Sequence, residues 1–344
     1  MIRFILAIFA ATLGLILIIP VLAGGLVFMI VASLVHTIAG WLEPPVLRWQ
    51  QIYEFDAELG WKAKAHLDCH LLEDRDDIFH VVTDEHGWPG TMTIERSEVV
   101  VFGDSHAWGY GVDHKKAFSQ LDPSVPLKAV AAPGYNLVQE LLLMEQLAYQ
   151  LKGKLVVWFV YIGNDLFDNL SPEMSGYRTP FVRQVNAEGK WEVVTRHLSP
   201  ERWRASDASK LRKYYPILPA LYSDTFLARR AYAACRVLIE KGAEVCRGVG
   251  ADLVVMAIPS PLALNPVLMQ QACQEKSFSS SIDVELPDRE LAEICREQAV
   301  RFISLKQHMT PQHFKPFDDH WTEEGHRNVA HILGALHREW KHRH

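Results

Sequence analysis

Several features that would mark common protein classes are missing from this sequence. Its five cysteines, Cys69, Cys235, Cys246, Cys273 and Cys295, form no CxxC pair and no metal-ligand spacing. That excludes a zinc ribbon or a dithiol redox motif, and the simplest reading is small buried side chains. HExxH is absent, so no metal is expected, and no other cofactor is implied. There is no surplus of positive charge: the net charge is −6 over 344 residues, and no nucleic-acid partner is expected. No internal repeat and no low-complexity tract occurs, which excludes solenoids and biased linkers. One absence is local. Between Phe4 and Leu42 there is no Lys, Arg, Asp or Glu.

A single membrane span needs about 20 apolar residues, and this stretch is close to twice that. It is also longer than the core of a cleavable signal peptide. Pro20 and Gly24-Gly25 interrupt it near the middle. We read residues 1–45 as a membrane anchor of two short helices, 4–22 and 26–42, joined by a tight turn. One long tilted span is the competing reading. The choice fixes sidedness. Arg3, Arg48, Lys62 and Lys64 flank the stretch and the turn carries no cation, so a hairpin places the remainder in the cytoplasm. A single span places it on the other side of a bacterial-type inner membrane.

After "EPPVLRW", residues 46–97 form a small turn-rich lead-in with "ELGW" and "DEHGWPG". Strand and helix signals then alternate. Apolar runs of strand length occur at Glu98–Gly103, in "PLKAVAAPG", in "KLVVWFVYIGND", in "DLVVMAIPS" and in "RFISLK". "NLVQELLLMEQLAYQL" has helical spacing with Asn136 as its cap, and "TEEGHRNVAHILGALHREW" is a final helix capped by Thr322. This pattern predicts an α/β domain over 98–344, with a parallel sheet covered on both faces. Such sheets bind ligands at the carboxyl ends of their strands. Over about 171–225 the alternation stops. That segment mixes Tyr177, Trp191, Trp203, Tyr214 and Tyr215 with Arg178, Arg183, Arg202, Arg204, Arg212 and Lys213. We read it as an insertion, either a lid or substrate platform or an ordinary surface elaboration.

Three strand ends and one late loop carry polar groups suited to chemistry. The first strand breaks at Gly103 into Asp104-Ser105-His106. A serine there is a common helix cap, but it is also where a nucleophile would be displayed, with its own N–H as an oxyanion donor. His106 is expected to cap or pack beside the turn. In "FDDHWTEEGH", Asp318 and His320 lie two apart before a capped helix. A carboxylate there can take one ring nitrogen of His320 and leave the other facing the crevice as a base. Asp319 would point away in an extended segment, and His326 is expected on the helix surface. Gly134 ends the second strand and can offer a bare N–H. Asn164 ends the third and offers a side-chain amide.

The order GDS, Gly, ND and Asp-x-His-Trp resembles the SGNH (GDSL-type) hydrolases. Here the pieces are "GDSH" at 103–106, "PGYN" at 133–136, "GND" at 163–165 and "DDHW" at 318–321. The resemblance covers Glu98 to the C-terminus apart from the insertion. It implies a flavodoxin-like three-layer sandwich around a central parallel sheet. It implies Ser105 as nucleophile, His320 as base, Asp318 as its partner, and Ser105, Gly134 and Asn164 as the oxyanion hole. The family usually has Gly two before the Asn, where this chain has Ile162, with Gly163 adjacent. It often has Asp three before the His, where this chain has Phe317. The Asp-x-His-Trp spacing resembles the branch that includes polysaccharide acetyltransferases.

Three functions follow as expectations. The first is a membrane-anchored serine esterase that removes an acyl group, acetyl being the favoured one, from a glycan or lipid-linked ester. The second is an O-acyltransferase that uses the same residues on a polysaccharide. The third is a membrane-tethered binding protein without catalysis.

Overall fold

Five apolar runs build the central sheet: β1 (Val99–Gly103), β2 (Leu127–Ala131), β3 (Leu155–Tyr161), β4 (Asp252–Ile258) and β5 (Arg301–Ser304). β1, β2 and β3 are buried at every position, as strands covered on both faces must be. All neighbouring pairs are parallel, in the order β2-β1-β3-β4-β5. The direction of winding therefore reverses between β1 and β3, and a crevice opens at their carboxyl ends.

These features come from a computed structural model that describes residues 29–31, 44–72, 77–174, 176–185, 190–204, 218–275, 277–316 and 318–344. The two expected membrane helices lie outside the described residues, except for 29–31, which are helical. Among the described residues no helix is long and apolar enough to cross a membrane. Contacts divide the chain into Met1–Pro45 and Val46–His344; the second unit is described from here on.

Adjacent residues of β3 show the layers, because successive side chains on a strand point to opposite faces. The Trp158 indole donates to Glu140 Oε2 of α2 (Leu137–Gln146). It also lies where a Cβ on Gly242 would have to sit. Phe159 faces the other way, with its ring 5.5 Å from Phe118 and 5.9 Å from Trp321. Between these labels, α1 is Ser105–Trp108 and α3 is Asp165–Asp168. The helix α4 spans Phe226–Val249, starts at Thr225, whose hydroxyl accepts from Ala228 N, and stops at Gly250 in the left-handed region. It packs on α2 and on α5 (Leu286–Glu297). The final helix, α6 (Glu323–Arg343), is capped by Thr322. Asn136 caps α2 and forms a reciprocal box with Gln139.

The lead-in contributes a three-stranded sheet from Val46–Arg48, Asp68–Leu72 and Ile78–Val82, and a hairpin from Tyr53–Asp56 and Gly60–Ala63. It is tied to the main sheet and to α2 by buried polar contacts. Lys128 in β2 pairs with Asp84 at 2.6 Å, and Gln139 Nε2 donates to Leu59 O. The described part of the insertion holds two hairpins, Glu173–Met174 with Tyr177–Arg178 and Phe181–Gln184 with Trp191–Val194. All five cysteines are free, and four of them are buried.

Candidate active site

Gly103 ends β1 because a Cβ there would collide with Ala107 and Phe159. The chain turns at Asp104, whose carboxylate accepts from His106 N at 2.9 Å and so starts α1. Ser105 is the first residue of that helix and is 8 % exposed, at the floor of a cavity of about 330 Å³. His320 Nε2 lies 2.8 Å from Ser105 Oγ. His320 Nδ1 lies 2.7 Å from Asp318 Oδ1. An ionised carboxylate can only accept, so Nδ1 carries the proton and the Nε2 lone pair faces the serine hydroxyl. Three residues from two stretches 215 positions apart are thus joined in a relay.

The electrostatics agree with that tautomer. Burial favours the neutral acid at Asp318, but the hydrogen bond and charge of His320 outweigh it and hold the carboxyl at about 2. Burial also disfavours a charged His320. The hydrogen bond to Asp318, and the charges of Asp318, Asp319 and Asp104, outweigh that and raise the imidazole above its ordinary value. The site is therefore built to stabilise an imidazolium once it forms.

Gly134 and Asn164 line the same cavity. Gly134 has φ +81°, in the region that favours glycine. Among the described residues no hydrogen bond takes the N–H of Gly134 or of Ser105. Asn164 precedes α3, and its Nδ2 donates one hydrogen to Asp168 Oδ2 at 3.0 Å. The second hydrogen of that amide is left for a ligand oxygen. Burial raises the Asp168 carboxyl to about 7, against the opposing hydrogen bond from Asn164.

One expectation needs correction. His326 is not on the surface of α6: it is 1 % exposed, its Nδ1 accepts from Phe118 N, and its ring lies against Phe118 and Trp321. It is the inward turn of the helix, not its charge, that places it. Several cations of the insertion are engaged where they are described. Arg178 faces Glu173, Arg183 faces Glu192, and Arg204 stacks on Trp203; Arg212, Lys213, Tyr214 and Tyr215 lie outside the described residues.

The sequence reading missed the cavity wall. Trp49, Tyr53 and Trp61 of the lead-in and Tyr177 of the insertion line it together. Tyr53 lies 4.9 Å from Trp61 and 5.5 Å from Tyr177, ring centre to ring centre. The ionisable groups on the cavity are Asp104, Asp318, Asp319, the two histidines His106 and His320, and tyrosines. No Lys or Arg among the described residues lines it.

No protein-family model matches the chain, and no curated protein sequence matches it. Solved structures do show likeness. One is TesA, at 13 % identity and TM-score 0.38, covering 70 % of this chain and 98 % of that one. Another is a GDSL-like lipase from Bacteroides thetaiotaomicron, at 14 % identity and TM-score 0.38, covering 73 % and 92 %. A third is the psychrotrophic esterase EstA from Pseudoalteromonas sp., at 8 % identity and TM-score 0.37, covering 72 % and 100 %. At these identities and TM-scores the likeness carries no weight for function, which has to be read from the site.

Proposed function

We propose that this chain is a serine esterase of the SGNH type, held at a membrane by its N-terminal apolar stretch, that removes a short acyl group from an uncharged ester. The observation that carries the reading is the Asp318–His320–Ser105 chain of contacts at 2.7 and 2.8 Å, opening into the aromatic cavity. Ser105 Oγ attacks the acyl carbonyl while its proton passes to His320 Nε2. The carbonyl oxygen becomes an oxyanion facing Ser105 N–H, Gly134 N–H and the free hydrogen of the Asn164 amide. The imidazolium then gives its proton to the departing alcohol. Water enters, loses a proton to His320, attacks the acyl carbon and releases the acid and Ser105.

The substrate class follows from the lining. A cavity of about 330 Å³ admits a small acyl group with part of its alcohol. Aromatic walls favour apolar or sugar-like faces, and carboxylates without a facing cation disfavour anionic ones. A transferase acting on an acidic glycan would need cations for its acceptor. Two of the insertion's described cations, Arg178 and Arg183, already face acids, and among the described residues no Lys or Arg lines the cavity, which favours hydrolysis.

Ser105→Ala is the test. It should abolish hydrolysis of p-nitrophenyl acetate and labelling by a fluorophosphonate while leaving the thermal midpoint close to wild type. Wild-type protein that neither hydrolyses short-chain esters nor takes the label would refute the proposal. Acylated oligosaccharide appearing when the acyl-enzyme is challenged with sugar would replace hydrolysis by transfer.

A further inference from the structure

Asp319 stands between the two residues that act on Ser105, yet the relay does not use it. Among the described residues its carboxylate makes no hydrogen bond to the His320 ring. Oδ2 accepts from the Tyr161 hydroxyl at 2.7 Å. Its main-chain carbonyl lies 3.1 Å from His106 Nε2. A carbonyl has no proton to give, so His106 Nε2 donates. The other ring nitrogen of His106 faces Asp104 Oδ1 at 3.3 Å. The His106 ring lies 4.3 Å from the Tyr161 ring and 4.9 Å from Trp321. Tyr161 ends β3 and His106 follows β1, so Asp319 is gripped from the ends of both strands that border the crevice.

The rest of the loop explains why that grip matters. Its base is closed by the Phe314–Trp321 bridge and by Lys315 N donating to His320 O at 2.8 Å. Those contacts hold the loop to itself. Among the described residues, the hydrogen bonds from the 318–320 segment to the strand ends run through the relay's own Ser105–His320 bond and through Asp319, beside ring contacts of His320 with His106 at 5.4 Å and with Tyr110 at 4.7 Å. The Ser105–His320 bond is broken and remade as its proton moves, whereas the Asp319 contacts do not take part in proton transfer.

Building on the esterase reading above, we propose that Tyr161 and His106 are positioning residues which clamp Asp319 and thereby set Asp318 and His320 against Ser105. Neither touches the reacting atoms in this role. The clamp works by geometry: small displacements of a catalytic base cost on the order of 10²-fold in rate.

The experiment compares Tyr161→Phe, Asp319→Ala, Asp319→Asn and the double variant Tyr161→Phe/Asp319→Ala in the full chain. The readouts are p-nitrophenyl acetate turnover and the rate of fluorophosphonate labelling. Tyr161→Phe keeps the buried ring and removes only the hydroxyl. It should lower kcat and the labelling rate by about 10- to 100-fold, with KM within about twofold and an unchanged thermal midpoint. Asp319→Ala should do the same, and the double variant should be no worse than the worse single one, because the two act as one contact. Asp319→Asn keeps an oxygen for the Tyr161 hydroxyl and should recover most of the rate. Wild-type rates in Tyr161→Phe, or multiplicative losses in the double variant, overturn the clamp and leave the esterase reading standing. A wild type without turnover or labelling removes the esterase reading and the clamp with it.

Discussion

Replacing Asp318 by Asn probes the relay most directly, because the structure shows what each orientation of the new amide would do. If its nitrogen faces His320 Nδ1, that nitrogen must accept. The imidazole proton then moves to Nε2, which can no longer take the Ser105 proton. The same orientation sets an N–H against the His320 main-chain N–H, which now points at Asp318 Oδ1 from 3.3 Å. If the amide oxygen faces Nδ1 instead, the productive tautomer survives. The NH2 group then occupies the place of Asp318 Oδ2, a buried atom with no partner among the described residues. Each orientation carries a penalty, and each damages catalysis differently.

The wrong tautomer in a triad costs about 10⁴-fold in kcat. The right tautomer without the charge loses only the attraction between carboxylate and imidazolium. Contacting charges near a protein surface interact by about 4 kcal/mol. With the two side chains 21 % and 28 % exposed, screening leaves about half of that, or ~30-fold in rate. The expected loss for Asp318→Asn therefore lies between ~30- and ~10⁴-fold. A pH profile of kcat/KM supplies the second readout. His320 must be neutral to act as base, so activity falls on the acid side through its pKa. Asp318 is the largest influence that raises that pKa against burial. Without its charge the acid limb should move to lower pH while the plateau drops. A variant that is merely misfolded lowers the plateau and leaves the limb in place. An unmoved acid limb, or a plateau equal to wild type, would refute the relay.

Gly134→Ala forces an L side chain into φ +81°, a cost of about 1–2 kcal/mol. Its Cβ would meet Trp61 and Met174 only at 3.4 and 3.7 Å, so the damage should come from the backbone: a lower thermal midpoint, and a kcat reduced by about 10²-fold if the N–H tilts off the oxyanion. His326 is pushed down to about 3, by burial first and then by the charges of His106, His320 and Lys315. In the unfolded chain it titrates at about 6.5, so the unfolded state gains a proton first as pH falls, and stability is lost between about pH 6.5 and 3. His326→Gln should flatten that part of the stability profile in urea titrations; an identical slope in variant and wild type would count against a buried neutral His326. Gly163→Ala would place a Cβ inside the Tyr161 ring. It should reproduce the kinetics of Tyr161→Phe with an additional fall in thermal midpoint.

Much of the framework was legible because it rests on local signals. Unbroken apolar runs gave all five strands of the sheet, and the oxygen-bearing residues Asn136 and Thr322 marked helix starts that the structure retains. The helix Phe226–Val249 was not read, although Thr225 and Gly250 bracket it as cap and stop. Its apolar residues do recur at helical spacing, but its buried face is made largely of Ala, Cys and Gly, so no run of bulky apolar residues announces it as one does for Leu137–Gln146. Ser105, Asp318 and His320 could be named because each sits at a break in pattern. Tyr161, Asp319 and the aromatic wall could not. Tyr53, Trp61 and Tyr177 meet only after a hairpin of the lead-in and a hairpin of the insertion fold toward the same strand ends, and no local spacing encodes that meeting.

The glycine of "YIGND" has its explanation in the sheet register. β1 pairs with β3 only as far as Phe102 opposite Trp158, while β3 continues beside β4 up to Tyr161 opposite Ile258. Beyond Trp158, β3 therefore has a strand on one side and the crevice on the other. Ile162 prolongs the pairing, with its N–H donating to Ile258 O at 3.0 Å, and its side chain is 1 % exposed. An apolar residue suits that position, and a glycine would leave a void. The turn begins one residue later. There the Tyr161 ring folds back over residue 163 to reach Asp319, and only glycine leaves it room. Gly163 thus makes room for an aromatic lever that reaches Asp319 across the crevice. The segment that begins at Asn164 and the loop that carries Asp318 and His320 are consequently linked through one phenol.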